Sequence, residues 1–363
     1  MTHQHFTCLR KKHSKMVFPR ILLTVCCAVW ATDSVAADAA GQQVIVVVGA
    51  PGTPEYADQF KSWAKRWKQA AEVGQAPVQM LGVPDNDDVH SDSSPSAVHA
   101  ESLGDASPVL RDRLLQSVRA ASVQESNEPL WLVLIGHGTY DGRAARFNLR
   151  GPDISSIQLA DALAQSKRPV AIINCSSCSA PFINALSGKD RVIVTATKSG
   201  QESQYSRFGD YLSATIGSTD ADLDRDDQTS LQEAWLVAAA ATAAFYESDG
   251  RLATEHSLLD DNGDQAGSST ATYQNGRLRK DLKEPEKVDG RMAAKWHLIR
   301  SQQERLFNSA QRKQRDVLES QLEELRQQKS NLSEVEYLNQ LEGIMLPLAR
   351  LYQSVSQTHR DEN

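Results

Sequence analysis

Four stretches of this chain are apolar at nearly every position: residues 44–48, 130–135, 170–173 and 192–194. Runs this short and this uniformly aliphatic read as strands buried on both faces, the pattern of a parallel sheet. Between them the period changes. Tyr56, Phe60, Trp63 and Trp67 recur at helical spacing, as do Leu110, Leu114, Val118 and Ala121, and residues 159–165 and 231–246 read as further helices. Residues 78–83 suggest one more short strand, and 84–107, rich in Asp, Ser and Pro, a polar loop. Strand and helix alternate, so the fold class is α/β: a three-layer α/β/α sandwich around a mostly parallel sheet.

The two ends of the chain have a different character. Arg10, Lys11, Lys12, Lys15 and Arg20 precede an apolar run at 21–30, and small residues follow at Ser34, Ala36 and Ala37. That is the layout of a signal peptide over residues 1–38, which implies export to a periplasm or outside the cell. The main domain then spans 42–275. From about 276 the chain turns charged and Gln-rich, with Leu318, Leu322 and Leu325 in a narrow stripe and Ser333 with Glu336 opening another helix. This helical extension, 276–363, reads as a hairpin that packs on the domain, on a second copy or on a partner protein. The net charge of −7 carries no basic stripe, which excludes a nucleic-acid footprint. Of five cysteines, Cys8, Cys26 and Cys27 fall in the leader, so Cys175 and Cys178 alone remain after its removal. Two cysteines make no disulfide framework, and the core must hold the domain together.

The chemistry sits where two apolar runs stop. One ends in Gly136-His137-Gly138, the other in Asn174-Cys175-Ser176-Ser177. Open α/β sheets bind ligands at the carboxyl ends of their strands, so an imidazole and a thiol are expected at one sheet edge. A thiol attacks carbonyls as thiolate, with a neighbouring base to take its proton. His137 is the candidate base and Cys175 the candidate nucleophile. Gly138 lets the backbone approach a substrate and offer its N–H to an oxyanion, with the Cys175 amide as a second donor. Cys175 and Cys178 also have C-x-x-C spacing, which leaves a thiol oxidoreductase, or a disulfide that silences the nucleophile, as rival readings.

These residues resemble the legumain-type cysteine peptidases, family C13 of the caspase-like clan CD. The likeness rests on the run into His137-Gly138, the run into Cys175-Ser176-Ser177, and Val194-Thr195-Ala196-Thr197 followed by Ser203-Gln204-Tyr205-Ser206, over roughly residues 42–265. It implies a caspase-like fold and peptide-bond cleavage through a thioester by His137 and Cys175, with the Gly138 backbone in the oxyanion hole and no metal in the chemistry. The chain departs from the family at three points. Asn174 stands before the nucleophile in place of a small residue, Cys178 replaces the motif's Gly, and Ala50-Pro51-Gly52 follows the first strand where legumains have an Asn that orients the imidazole.

A second constellation is acidic. Asp222, Asp224, Asp226, Gln228 and Glu233 fall at positions 1, 3, 5, 7 and 12 of an EF-hand loop, with Asp227 where that loop has Gly. This register implies a structural calcium that braces the following helix. The turn at Asp260-Asp261-Asn262-Gly263-Asp264 reads as an Asn-Gly turn. A non-catalytic calcium-binding interaction protein with the same fold is the alternative to the peptidase. Glu202, near the suspected pocket, reads either as a selector of basic side chains or as a surface charge.

Overall fold

In a computed structural model, residues 41–83 and 109–361 are described; the leader and the polar loop predicted at 84–107 lie outside them. The strands are β1 (Gln43–Val48), β2 (Val78–Leu81), β3 (Leu130–Ile135), β4 (Gly138–Tyr140), β5 (Ala145–Phe147), β6 (Ile154–Ser155), β7 (Val170–Asn174), β8 (Arg191–Thr195), β9 (Leu258–Asp260), β10 (Ser268–Ser269) and the hairpin pair β11 (Tyr273–Gln274) and β12 (Arg277–Leu278). The α-helices are α1 (Pro54–Val73), α2 (Leu110–Ser122), α3 (Ser156–Leu163), α4 (Pro181–Leu186), α5 (Phe208–Thr215), α6 (Leu231–Ser248), α7 (Ser309–Gln327) and α8 (Glu334–Asp361).

Seven strands form the main sheet in the order β10-β9-β8-β7-β3-β1-β2. The five from β2 to β8 run parallel, and β9 and β10 add an antiparallel edge. Side chains alternate across it as the pleat requires. Trp131, Val133 and Ile135 face α1, α5 and α6 in one core, while Leu130, Leu132 and Leu134 face α2, α3 and α4 in the other. The three layers predicted by the alternation are therefore present. On α1, Phe60, Trp63 and Trp67 are buried and Tyr56 is half-buried, with Thr53 capping the helix and Pro54 opening it. Strands β4, β5 and β6 form a small antiparallel sheet directly after His137.

The extension is not helical from its start. Residues 279–308 form turns and short 3-10 segments, and a regular helix begins only at Ser309. Ala293 and Leu298 enter the same core as the sheet, and the described residues belong to one compact unit. The stitching is polar as well. Gln42 Nε2 donates to the carbonyl of His297 at 3.2 Å, and Glu128 pairs with Arg300 and Arg312. Asp289 collects the amides of Asp261, Asn262 and Ser268, while Asp261 collects those of Gly290, Met292 and Ala293. The second acidic turn is thus a fastening for the extension. Helices α7 and α8 form the predicted hairpin, with Leu322 and Leu325 buried and the Ser333–Glu336 capping box formed. No helix among the described residues is long and apolar enough to cross a membrane.

Candidate active site

Strands β3 and β7 are neighbours in register, with Leu134 opposite Asn174. The segments that follow them, Gly136-His137-Gly138 and Cys175-Ser176-Ser177, leave the sheet side by side. Close contact requires Gly138 to be glycine, since a Cβ there would sit 2.2 Å from the Ser177 carbonyl oxygen. The Gly138 N–H donates to Ser177 Oγ at 3.2 Å, and that hydroxyl donates to the Gly138 carbonyl at 3.1 Å. The amide of Cys175 donates to the Leu134 carbonyl at 2.9 Å, continuing the sheet ladder. Both amides expected to hold an oxyanion are therefore bonded within the fold in this structure. Freeing the Gly138 N–H needs only a turn of the Ser177 hydroxyl, whereas freeing that of Cys175 breaks the ladder.

His137 is oriented by the backbone. Its Nε2 lies 3.0 Å from the carbonyl oxygen of Pro51, in the loop after β1. A carbonyl only accepts, so Nε2 carries the proton and, in the neutral ring, Nδ1 is left as the acceptor. That loop is held by Gly49 N–H on the Ile135 carbonyl and Ala50 N–H on Asn148, whose own amide donates to the His137 carbonyl. The ring is boxed edge-on by Tyr56 and Phe60, with centroids at 4.9 and 5.2 Å, and by Tyr205 at 6.1 Å. Pro51 thus fixes the ring where the sequence offers no Asn after the first strand. Its contribution is a backbone oxygen, which leaves no mark in a side-chain pattern.

Cys175 points to the same side of the sheet as the box around His137, into the core with Trp63 and Phe208. It is 1% exposed. A Cβ on Gly209 would lie 2.7 Å from both the Cys175 Cβ and the Trp63 ring, so the first turn of α5 lies directly on the thiol. Burial, and then the charge of Glu255, pushes the thiol pKa far up. Among the described residues no hydrogen bond joins His137 to Cys175. The two are brought to one edge and one face, but as a neutral thiol and a separately anchored imidazole rather than an ion pair.

The turn after Cys175 is tightly held. Asn174 Oδ1 accepts from the Ser176 amide and hydroxyl, at 3.1 and 2.7 Å, which explains why a small residue is not needed at 174. Ser179 and Thr197 clamp each other: Thr197 Oγ1 accepts from the amides of Ser179 and Ala180, and Ser179 Oγ from those of Ala196 and Thr197. Cys178 adopts a left-handed φ of 53°, a conformation for which glycine is suited. Cys175 and Cys178 are both free and buried. Glu202 is fully engaged, accepting from the Lys198 and His256 amides and meeting His256 Nδ1 at 2.6 Å. It ties the loop after β8 to the segment before β9.

No protein-family model matches the chain, and no curated protein matches it in sequence. Among solved structures it is similar to the crystal structure of the Drosophila initiator caspase Dronc, at 11% identity over 66% of this chain and 85% of that chain, with a TM-score of 0.39.

The acidic loop assembles in part. Carboxylate oxygens of Asp222, Asp224 and Asp226 lie within 4.8 Å of one another. Glu233 does not join them. Its Oε2 accepts from the amide and hydroxyl of Ser230, and its Oε1 from the amides of Leu223 and Asp224, so it closes a capping box on α6. The Gln228 side chain bridges Asp226 and the Ser301 amide. The twelve-residue wrap therefore lacks its distal carboxylate, because helix capping takes it. Asp222 meanwhile accepts from the amides of Arg225, Asp226 and Asp227. Partial burial and the charges of Asp226, Glu233 and Asp222 raise the Asp224 pKa to about 6.

Proposed function

We propose that this chain is an exported cysteine endopeptidase or transpeptidase in which Cys175 is the nucleophile and His137 the base. One observation carries the reading: adjacent parallel strands lead into Cys175, level with Ile135, and into His137 two residues further on, at one sheet edge and on one face, with the imidazole tautomer set by Pro51 so that Nδ1 is the accepting nitrogen. Nδ1 takes the thiol proton and the sulfur adds to a peptide carbonyl. Collapse breaks the C–N bond, and the imidazolium returns its proton to the departing amine. Water or a second amine then resolves the thioester. The Gly138 N–H serves the oxyanion once the Ser177 hydroxyl turns away. The resemblance of the His137-Gly138 and Cys175-Ser176-Ser177 segments to legumain-type peptidases supports the same assignment.

Burial of Cys175 favours a second reading, a non-catalytic protein that keeps the fold and binds a partner through its exposed helical hairpin. Incubating the full chain, reduced and freed of its leader, with a peptide library separates the two. The peptidase reading expects new termini by mass spectrometry that vanish in Cys175→Ala. Cleavage that persists in Cys175→Ala, or no cleavage by the chain once Cys175 is shown to be accessible, would sink it.

The carboxylates of Asp222, Asp224 and Asp226 are the residues that would hold a structural calcium, which would supply only charge neutralisation there. Without the ion, Asp224→Asn removes like-charge repulsion. At neutral pH in a chelator this variant is expected to melt slightly higher than the parent, by less than about 1 kcal/mol given the exposure of the loop. Calcium should then raise the melting temperature of the parent and not of the variant.

A further inference from the structure

Glu255 is 4% exposed, lies in the segment before β9, and is not paired with a cation. Its carboxylate is instead filled by donors from residues 206–208 and one from α6. Ser206 Oγ donates to Oε2 at 2.6 Å, the Arg207 amide to Oε1 at 2.8 Å, the Phe208 amide to Oε2 at 3.1 Å, and the Tyr246 hydroxyl of α6 to Oε1 at 3.0 Å. Bonds to a charged acceptor in a dry site are the strong ones. The stretch they hold is the one that covers the candidate site. Tyr205, one residue before it, stacks on Tyr56 at 4.4 Å and lies 6.1 Å from the His137 ring, with its hydroxyl donating to Gln59. Gly209, one residue beyond it, rests on Cys175 and Trp63. Arg207 is laid over Phe245 at 4.3 Å, which fastens the same segment to α6.

We propose that Glu255 is a positioning residue that latches residues 205–209 across Cys175 and His137, and that peptide access requires this latch to open. The inference rests on the reading of Cys175 as the nucleophile. The latch acts in two ways. It closes the site sterically, and it keeps a negative charge facing the thiol, which opposes thiolate formation. The groups that face Glu255 are Tyr246 from α6 and Arg207, Tyr205 and Cys175, so no second carboxylate shares its position.

Alkylation of the reduced full chain by iodoacetamide, with Cys175 and Cys178 distinguished by fragment mass spectrometry, tests this without requiring peptidase activity. Glu255→Gln, which removes the charge and weakens the clamp, is expected to speed labelling of Cys175 by about tenfold or more at neutral pH and to shift its pH–rate midpoint down. Ser206→Ala and Tyr246→Phe each remove one bond and leave the charge. They should speed labelling by about threefold with the midpoint unmoved, and they carry the test if Glu255→Gln does not fold. Cys178, buried outside the latched segment, should keep the parent rate. Equal Cys175 rates in parent and variants, or parallel increases at Cys175 and Cys178, overturn the latch. A fast-labelling Glu255→Gln chain that cleaves no peptide retains the latch and overturns the peptidase reading; cleavage with unchanged labelling does the reverse.

Discussion

Peptide hydrolysis by a chain carrying His137→Ala is expected to fall by a factor of about 10² to 10⁴ at neutral pH, the usual worth of a positioned general base. The cause is the burial of Cys175, which holds the sulfur as thiol. Attack then depends on a partner that takes the proton as the sulfur adds. Among the side chains around this edge, Tyr56, Phe60, Trp63 and Tyr205 are aromatic and Glu255 is already filled by donors, so the imidazole alone suits the task. Raising the pH should recover part of the lost rate in His137→Ala, because hydroxide then forms the thiolate that the imidazole no longer helps to make. Single-turnover cleavage followed across pH checks both statements. A variant as active as the parent would remove His137 from the chemistry.

Glu128→Ala is expected to destabilise the protein by about 3–5 kcal/mol, the range for breaking a buried ion pair from one side. Glu128 is 4% exposed, immediately before β3, and its carboxylate meets Arg300 and Arg312 of the extension, the latter at 2.6 Å. Alanine leaves two largely buried guanidinium groups facing each other, with Glu304 near Arg300 but itself paired with Arg315. Burial pushes the Glu128 pKa up, but the two arginines outweigh it and hold the group below the ordinary glutamate value. A depressed folded pKa gives stability that is present above the unfolded value and lost as pH falls through the folded one. The parent should accordingly lose stability on acidification below about pH 4.5, and Glu128→Ala should lack that component. Urea melts at neutral and acidic pH measure both, and a loss under about 1 kcal/mol would mean that the extension is held by its apolar contacts alone.

The long periodic elements could be read from the residues because one physical signal dominates each. Strands β1, β3, β7 and β8 are covered on both faces, so nearly every position is aliphatic. Helix α1 buries one face, so its aromatics recur at helical spacing. Strands β4 to β6 and β10 have two or three residues each, too few to show a period, and α5 has eight after a polar loop. Residues 279–308 carry the charge and Gln content of a helix but take another shape, set by bonds to Asp261, Ser268 and Glu128.

At the site the sequence by itself determined which reactive groups stand at strand ends, His137 and Cys175, because the apolar runs that carry them stop there. Only the tertiary structure decided what those groups face. Pro51 orients the imidazole through a backbone oxygen, and Glu255 holds residues 206–208 largely through their amides, interactions that any residue type can supply at the backbone end. The Ser230 to Glu233 spacing suits both a calcium loop and a capping box, and the composition of the loop does not choose between them. Only the folded chain shows that the amides of Ser230, Leu223 and Asp224 converge on the Glu233 carboxylate, while Asp222, Asp224 and Asp226 cluster without it.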